Sequence, residues 1–176
     1  AIVDGAWASP RASTCASTCA KVHAVFQQPS QHDVRRFFCD VYARQRQGAP
    51  LDAMQAIVAG WIDEHPEYHA DLADADAAVA ASWTIDEGRT NPFLHLSMHL
   101  SISEQCSIDQ PQGVRAAIER LATKLGSLHD AHHVAMDALG EMLWTSQRSG
   151  RPPDGEAYLE KLRQRASGSG SRNTDP

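Results

Sequence analysis

Six of the nine histidines in this chain of 176 residues occur as pairs four residues apart. On a helix, residues four apart lie one turn apart on the same face, with Cβ atoms about 5 to 6 Å from each other. Two imidazoles at that distance are able to bind one metal ion. The spacing therefore predicts metal chemistry for at least some of these pairs. They are His65 with His69, His95 with His99, and His129 with His133.

The last pair begins a longer polar stripe on one predicted helix. Its members advance by four residues each time and so drift only about 40° per step around a helix of 3.6 residues per turn. If the helix that carries His95 and His99 packs beside this one, imidazoles from both helices face each other inside a bundle. The stripe consists of His129, His133, Asp137 and Glu141.

We therefore predict a site for a divalent metal between two helices. A mixed set of nitrogen and oxygen ligands suits iron, zinc or manganese. The chain contains no Glu-x-x-His sequence, so the ligand pattern of ferritin-like di-iron bundles is absent. The predicted ligands are His95, His99, His129 and His133, with Glu141 as a further ligand or proton acceptor.

A structural role is the alternative for the same histidines. Histidine is often a half-buried polar residue that bonds a backbone carbonyl or a neighbouring helix. The protein would then be a non-enzymatic interaction module, with its function on surface helices. For His65 and His69 the structural role is the favoured prediction, because Pro66 disfavours helical geometry at His65 and separates the two imidazoles. We expect this segment to cap a helix or brace a loop.

Composition and motifs exclude several classes of function without naming a reaction. The net charge of −6 argues against binding to nucleic acid or to an anionic membrane, so that a small molecule, a protein partner or a second copy of the chain fits better. No G-x-S-x-G or G-x-G-x-x-G sequence occurs. No window approaches the roughly 18 apolar residues of a membrane helix. We expect a soluble cytoplasmic protein.

Helical periodicity predicts the elements that position the histidines. Ser30 with Asp33 begins the first helix, which ends at Gly48, and a second helix from Leu51 breaks near Pro66. The alanine-rich residues 71–81 are predicted to form a short helix. Later helices are predicted at 92–108, between Pro111 and Gly126, from Ser127 to Gly150, and at 154–166.

One of these helices is predicted to lie at the centre of the domain. Asn91 and Pro92 mark its start, and its first three turns are apolar nearly all round.

No segment shows the alternation of a strand, so we predict an all-α domain, a single irregular bundle of five or six helices over residues 31–166. Residues 1–30 and 167–176 are predicted to be disordered tails, and Cys39 and Cys106 to be small buried side chains in a reducing compartment.

Four sequence motifs also resemble a known family. Taken together they look like the bacterial domain-of-unknown-function family numbered 1841. The resemblance spans about Asp33 to Leu162 and implies one helical domain of bacterial origin, with no substrate attached. The motifs, in chain order, are RRFFCDVYARQRQGAPLD, HPEYH, NPFLHLSMHL and HDAHHVAMDALGEMLW.

Overall fold

The computed structural model of the protein describes residues 30–83 and 90–168. Within these ranges every regular element is helical, as predicted. No helix among the described residues combines the length and the apolar content of a membrane span. The predicted tails lie almost wholly outside the described residues, as does the connection at 84–89. The α-helices are α1 (Gln31–Arg46), α2 (Ala53–Asp63), α3 (His69–Leu72), α4 (Ala75–Ala80), α5 (Pro92–Ile108), α6 (Val114–Leu125), α7 (Leu128–Ser149) and α8 (Gly155–Ser167).

The helices begin where side chains cap exposed backbone N–H groups. Ser30 and Asp33 form a reciprocal capping box at α1, and Asn91 accepts hydrogen bonds from two N–H groups at the start of α5. Pro92 occupies the first turn of α5, where its missing N–H costs nothing. The described part contains eight α-helices instead of the predicted five or six. The difference comes largely from short segments between α2 and α5.

The chain bends sharply between α2 and α3. His65 has φ −127° and ψ 63°, outside helical geometry, and a single 3-10 turn follows over Pro66–Tyr68. Proline disfavours helical backbone at the residue before it, as the sequence predicted. The bend turns the His65 side chain inward, and only 2% of the residue remains exposed to solvent.

Two apolar cores lie on either side of the middle of α5. The N-terminal core is built from α1–α4 and from Phe93 and Leu96 of α5. The C-terminal core contains Ile102 of α5 and the apolar faces of α6, α7 and α8. Helix α5 contacts α1, α2, α6 and α7, which confirms its predicted central position. Its histidines lie where the two cores meet.

The two cysteines within the described residues lie at the apolar cores. Cys39 belongs to the N-terminal core and is 3% exposed, as predicted. Cys106 is partly buried against the C-terminal core. Burial raises the pKa of the Cys39 thiol to about 11, so the side chain stays protonated at neutral pH.

Arg35 ties α1 to the end of α4. Its Nη1 donates hydrogen bonds to the carbonyl oxygens of Ala78, Val79 and Ala81, at 3.1, 3.0 and 2.8 Å. The guanidinium also lies 4.7 Å from the ring centre of Trp83. We expect Arg35→Ala to lower the free energy of unfolding by about 1.5 to 3 kcal/mol, because a charged donor to several carbonyl oxygens is lost. Urea unfolding measures the change.

The next residue supplies a matched control for Arg35. Arg36 pairs with Asp76 at 3.1 Å, but both side chains are largely exposed, at 52% and 88%. Exposed ion pairs contribute about 1 kcal/mol or less. Arg36→Ala should therefore cost clearly less than Arg35→Ala, and equal losses for the two variants would contradict the anchoring role of Arg35.

Candidate metal centre

Three separate parts of the chain bring histidines to the boundary between the cores. The bend after α2 supplies one histidine, the first half of α5 supplies two, and the first two turns of α7 supply three. Aromatic ring contacts link all six into one cluster, which we call the histidine cluster. Its members are His65, His95, His99, His129, His132 and His133.

Ring nitrogens converge at the centre of this cluster. The Nε2 atom of His65 lies 2.9 Å from Nε2 of His99 and 3.0 Å from Nε2 of His129. With one nitrogen of His133, the four candidate ligand atoms all lie within 4.8 Å of one another. Ligands at zinc–nitrogen distances of about 2.0 to 2.1 Å in a tetrahedron are separated by roughly 3.3 Å. The observed separations bracket this value, so small shifts of the side chains would accommodate an ion.

His95 and His133 each leave a buried nitrogen unsatisfied. Within the described residues neither Nε2 atom has a hydrogen-bond partner. The His95 ring lies 4.7 Å from the His65 ring and 5.0 Å from the His133 ring, measured between centroids. Buried polar atoms in proteins are nearly always paired, and an unpaired one costs about 1 to 3 kcal/mol. A bound metal ion would satisfy such lone pairs.

Burial keeps several of these imidazoles neutral. Burial, together with the neighbouring histidines, lowers the pKa of His99 to about 2 and that of His95 to about 4. The pKa of His133 is also lowered, first by burial and then by His129 and His65. A neutral imidazole has a lone pair that is able to bind a metal, whereas a protonated one does not. These side chains are thus in the ligand form at neutral pH.

A tryptophan holds the cluster from the side of α2. The Trp61 ring stacks on the His99 ring, with 4.1 Å between centroids and 19° between planes, and lies 4.3 Å from the His132 ring. Its Nε1 donates a hydrogen bond to Oγ of Ser103 at 2.9 Å, and Ser103 in turn donates to the carbonyl oxygen of His99. These contacts restrict the orientation of the His99 ring. The sequence alone did not identify Trp61 as a site residue, because a tryptophan at helical spacing indicates a core position.

Two further side chains bond the outer nitrogens of the cluster. Nδ1 of His65 lies 2.8 Å from Oε1 of Glu67, a residue of the 3-10 turn. Nδ1 of His99 lies 3.3 Å from Nδ1 of His132, which is itself 98% buried, with 2% exposure. No spacing in the sequence identifies either partner, because each contact depends on how the helices pack.

The prediction for the HPEYH segment holds for one of its two histidines. Nε2 of His69 hydrogen-bonds the carbonyl oxygen of Ile62 at 3.0 Å, and the ring packs against Tyr42, so His69 braces the bend as expected. His65 does not have the predicted bracing role. Because Pro66 bends the chain, His65 turns away from His69 and into the histidine cluster. The bend at Pro66, which in the sequence argued against a metal-binding role for His65, is the feature that brings His65 into the histidine cluster.

Glu141 lies apart from the histidines, contrary to its predicted place beside them. Its carboxylate pairs with Lys161 of α8, and that pair lowers its pKa. Eight residues separate it from His133, which is about 12 Å along the axis of α7 and about 80° around it. Asp137, one turn earlier, is already directed at Arg165 of α8. The C-terminal part of the stripe, Asp137 and Glu141, therefore faces α8 and not α5. The four predicted histidines come together, but neither of these two carboxylates lies with them.

A surface groove of about 480 Å³ reaches one edge of the cluster. Helix α2 forms one wall, and the start of α7 forms the other. His129 is partly exposed at this edge, whereas His99 is fully buried. The groove is thus a route by which solvent or a small ligand reaches the His129 side of the cluster. Its lining includes Ile57, Trp61, Glu64, Ser103, Leu128 and His129.

The fold and the site define an all-α protein with a histidine-rich centre between two apolar cores. Residues 30–164 match the family described as Domain of unknown function (DUF1841), and the chain belongs to that family. This match confirms the resemblance predicted from the four motifs. Neither the comparison with curated proteins nor the comparison with solved structures finds a match.

Proposed function

We propose that the protein binds a divalent transition-metal ion in the histidine cluster. The carrying observation is the convergence of imidazole nitrogens from three parts of the chain within 4.8 Å of one another. His95 is a candidate additional donor, because its buried Nε2 lacks a partner among the described residues. The four proposed ligands are His65, His99, His129 and His133.

The composition of the cluster narrows the choice of metal. Iron, zinc and manganese were predicted for a mixed set that included Glu141. With Glu141 paired to Lys161, the proposed set contains nitrogen ligands alone. Imidazole suits zinc, copper, iron and nickel, whereas manganese favours oxygen ligands. We therefore propose zinc or iron as the first ions to test, with copper and nickel next. No substrate is assigned to the bound ion.

Elemental analysis tests this proposal directly. The protein is purified without a histidine tag, analysed as isolated, and analysed again after incubation with Zn²⁺ or anaerobic Fe²⁺ followed by desalting. We expect about one metal ion per chain, because a site with preformed ligands retains its ion through desalting. His69→Ala is a matched control, since His69 bonds the Ile62 carbonyl. This variant should retain the metal content of the parent.

A blank result would favour the second candidate function. If neither the isolated nor the loaded protein contains metal, including after copper and nickel loading, the metal proposal is rejected. The histidines would then form a buried hydrogen-bonded seam in an interaction module. Ile57 and Leu128, which are 37% and 53% exposed at the groove, would be the first surface residues to examine for a protein partner.

A further inference from the structure

The outer hydrogen bonds of the histidine cluster decide which ring nitrogens are able to bind a metal. A neutral imidazole has one protonated nitrogen and one lone pair, and the partner of one nitrogen sets the state of the other. In metal sites such partners orient the ligand and increase its basicity. The partner of His65, Glu67, is largely exposed to solvent, whereas the partner of His99, His132, is buried.

Glu67 determines the state of His65. The Glu67 side chain is 57% exposed to solvent. A hydrated carboxylate is ionised at neutral pH and only accepts hydrogen bonds. At 2.8 Å, Nδ1 of His65 must be the donor. In neutral His65 the lone pair is then on Nε2, the atom that lies 2.9 Å from Nε2 of His99 and 3.0 Å from Nε2 of His129.

His132 similarly determines which ring nitrogen of His99 has the lone pair. If Nε2 of His99 binds the ion, its Nδ1 carries the proton and donates across 3.3 Å to Nδ1 of His132. His132 is only 2% exposed, and a neutral imidazole at such a buried position has one ring nitrogen with a lone pair that accepts a hydrogen bond. Trp61 packs against both rings and limits their rotation. His132 thus has a role toward the site that does not require it to touch the metal.

We infer that Glu67 and His132 are positioning residues, which direct the Nε2 lone pairs of His65 and His99 toward a common metal ion. This inference rests on the proposed metal-binding function. It adds to that function two residues that lie outside the proposed ligand set. Removal of outer partners of this kind typically lowers metal affinity by about 10- to 100-fold.

Paired substitutions separate a hydrogen-bonding role from a packing role. Glu67→Ala removes the acceptor, while Glu67→Gln keeps an acceptor oxygen without the charge. His132→Phe keeps an aromatic ring against Trp61 but has no acceptor, while His132→Asn provides an acceptor oxygen near the position of Nδ1. Glu64→Ala is the charge control, because Glu64 is an exposed neighbour of the site that is absent from the converging group.

The measured quantity is the Zn²⁺ dissociation constant of the full chain, from competition with a chromophoric chelator, alongside the thermal midpoint of each metal-free variant. We expect Glu67→Ala and His132→Phe to weaken Zn²⁺ binding about 10- to 100-fold. Glu67→Gln and His132→Asn should recover part of that loss, and Glu64→Ala should match the parent. The recovery by asparagine is diagnostic, because a packing role would instead favour phenylalanine.

Two results would overturn the inference. The first leaves the proposed metal site intact, and the second rejects it as well. Parent-like affinity in Glu67→Ala and His132→Phe, or tighter binding by His132→Phe than by His132→Asn, rejects the positioning roles and leaves the metal site intact. A parent protein that binds no Zn²⁺, Fe²⁺, Cu²⁺ or Ni²⁺ rejects the positioning roles together with the proposed function.

Discussion

Replacing His133 by alanine is expected to abolish zinc retention while leaving the metal-free protein folded. The His133 side chain is partly exposed, and its Nε2 has no hydrogen-bond partner among the described residues. The substitution therefore leaves no former partner of that nitrogen unsatisfied, and we expect it to change the metal-free stability by about 1 kcal/mol or less. Metal affinity should fall by roughly 100-fold or more, because the loss of one of four ligands costs at least as much as the loss of an outer hydrogen-bond partner.

Thermal unfolding with and without zinc measures both parts of this result. A ligand at 100 times its dissociation constant stabilises the native state by about 2.7 kcal/mol. The parent should gain a higher midpoint with Zn²⁺, whereas His133→Ala should gain little. His32→Ala is the control, because His32 is exposed in the first turn of α1 and should show the full gain. Equal metal content in His133→Ala and the parent would exclude His133 as a ligand.

The second large effect is a loss of metal-free stability as the pH falls below about 6.5. His95 and His132 each have a native pKa near 4, against an ordinary value of 6.5, and His99 is lower still at about 2. Between these values the unfolded chain binds protons that the native cluster does not. Stability is therefore complete above pH 6.5 and decreases toward pH 4. Each unit of pKa difference corresponds to about 1.4 kcal/mol for an independent group.

Urea unfolding in the presence of a chelator, at pH 7.5, 6.5, 5.5 and 5.0, checks this dependence. The range stays above the ordinary pKa values of aspartate and glutamate, so that histidines dominate the change. His95→Leu removes one of the shifted groups and should flatten the curve, while His32→Ala should leave its slope unchanged. A stability that is constant from pH 7.5 to 5.0 would contradict the neutral, buried state of the cluster.

Bound metal should stabilise the protein most at neutral pH and progressively less as the pH falls. Protons compete with the ion for the same nitrogen lone pairs, so zinc retention should also decline as the pH falls. The same titration carried out with saturating Zn²⁺ is expected to show higher stability than the metal-free protein at pH 7.5. The difference between the two curves should narrow toward pH 5.0.

Local sequence signals determined the helices of this protein. Asn91 and Pro92 predicted the start of α5, and Asp109 in the left-handed region ends it after Ile108, the predicted last residue. Capping residues act over three or four positions, and helical periodicity acts over one or two turns. Such short-range effects are present in the sequence itself. The spacing of His95 with His99 and of His129 with His133 was informative for the same reason.

Only the tertiary structure decided which helices face one another, and therefore which side chains complete the site. His65 was placed with His69 by spacing, yet the bend at Pro66 brings it to His99 across 34 positions of sequence. Glu141 fits the stripe of α7, but the packing of α8 provides Lys161 as a closer partner. Glu67 and His132 acquire their roles through contacts between turns and helices. These outcomes depend on the crossing of packed helices, which periodicity along one helix does not specify.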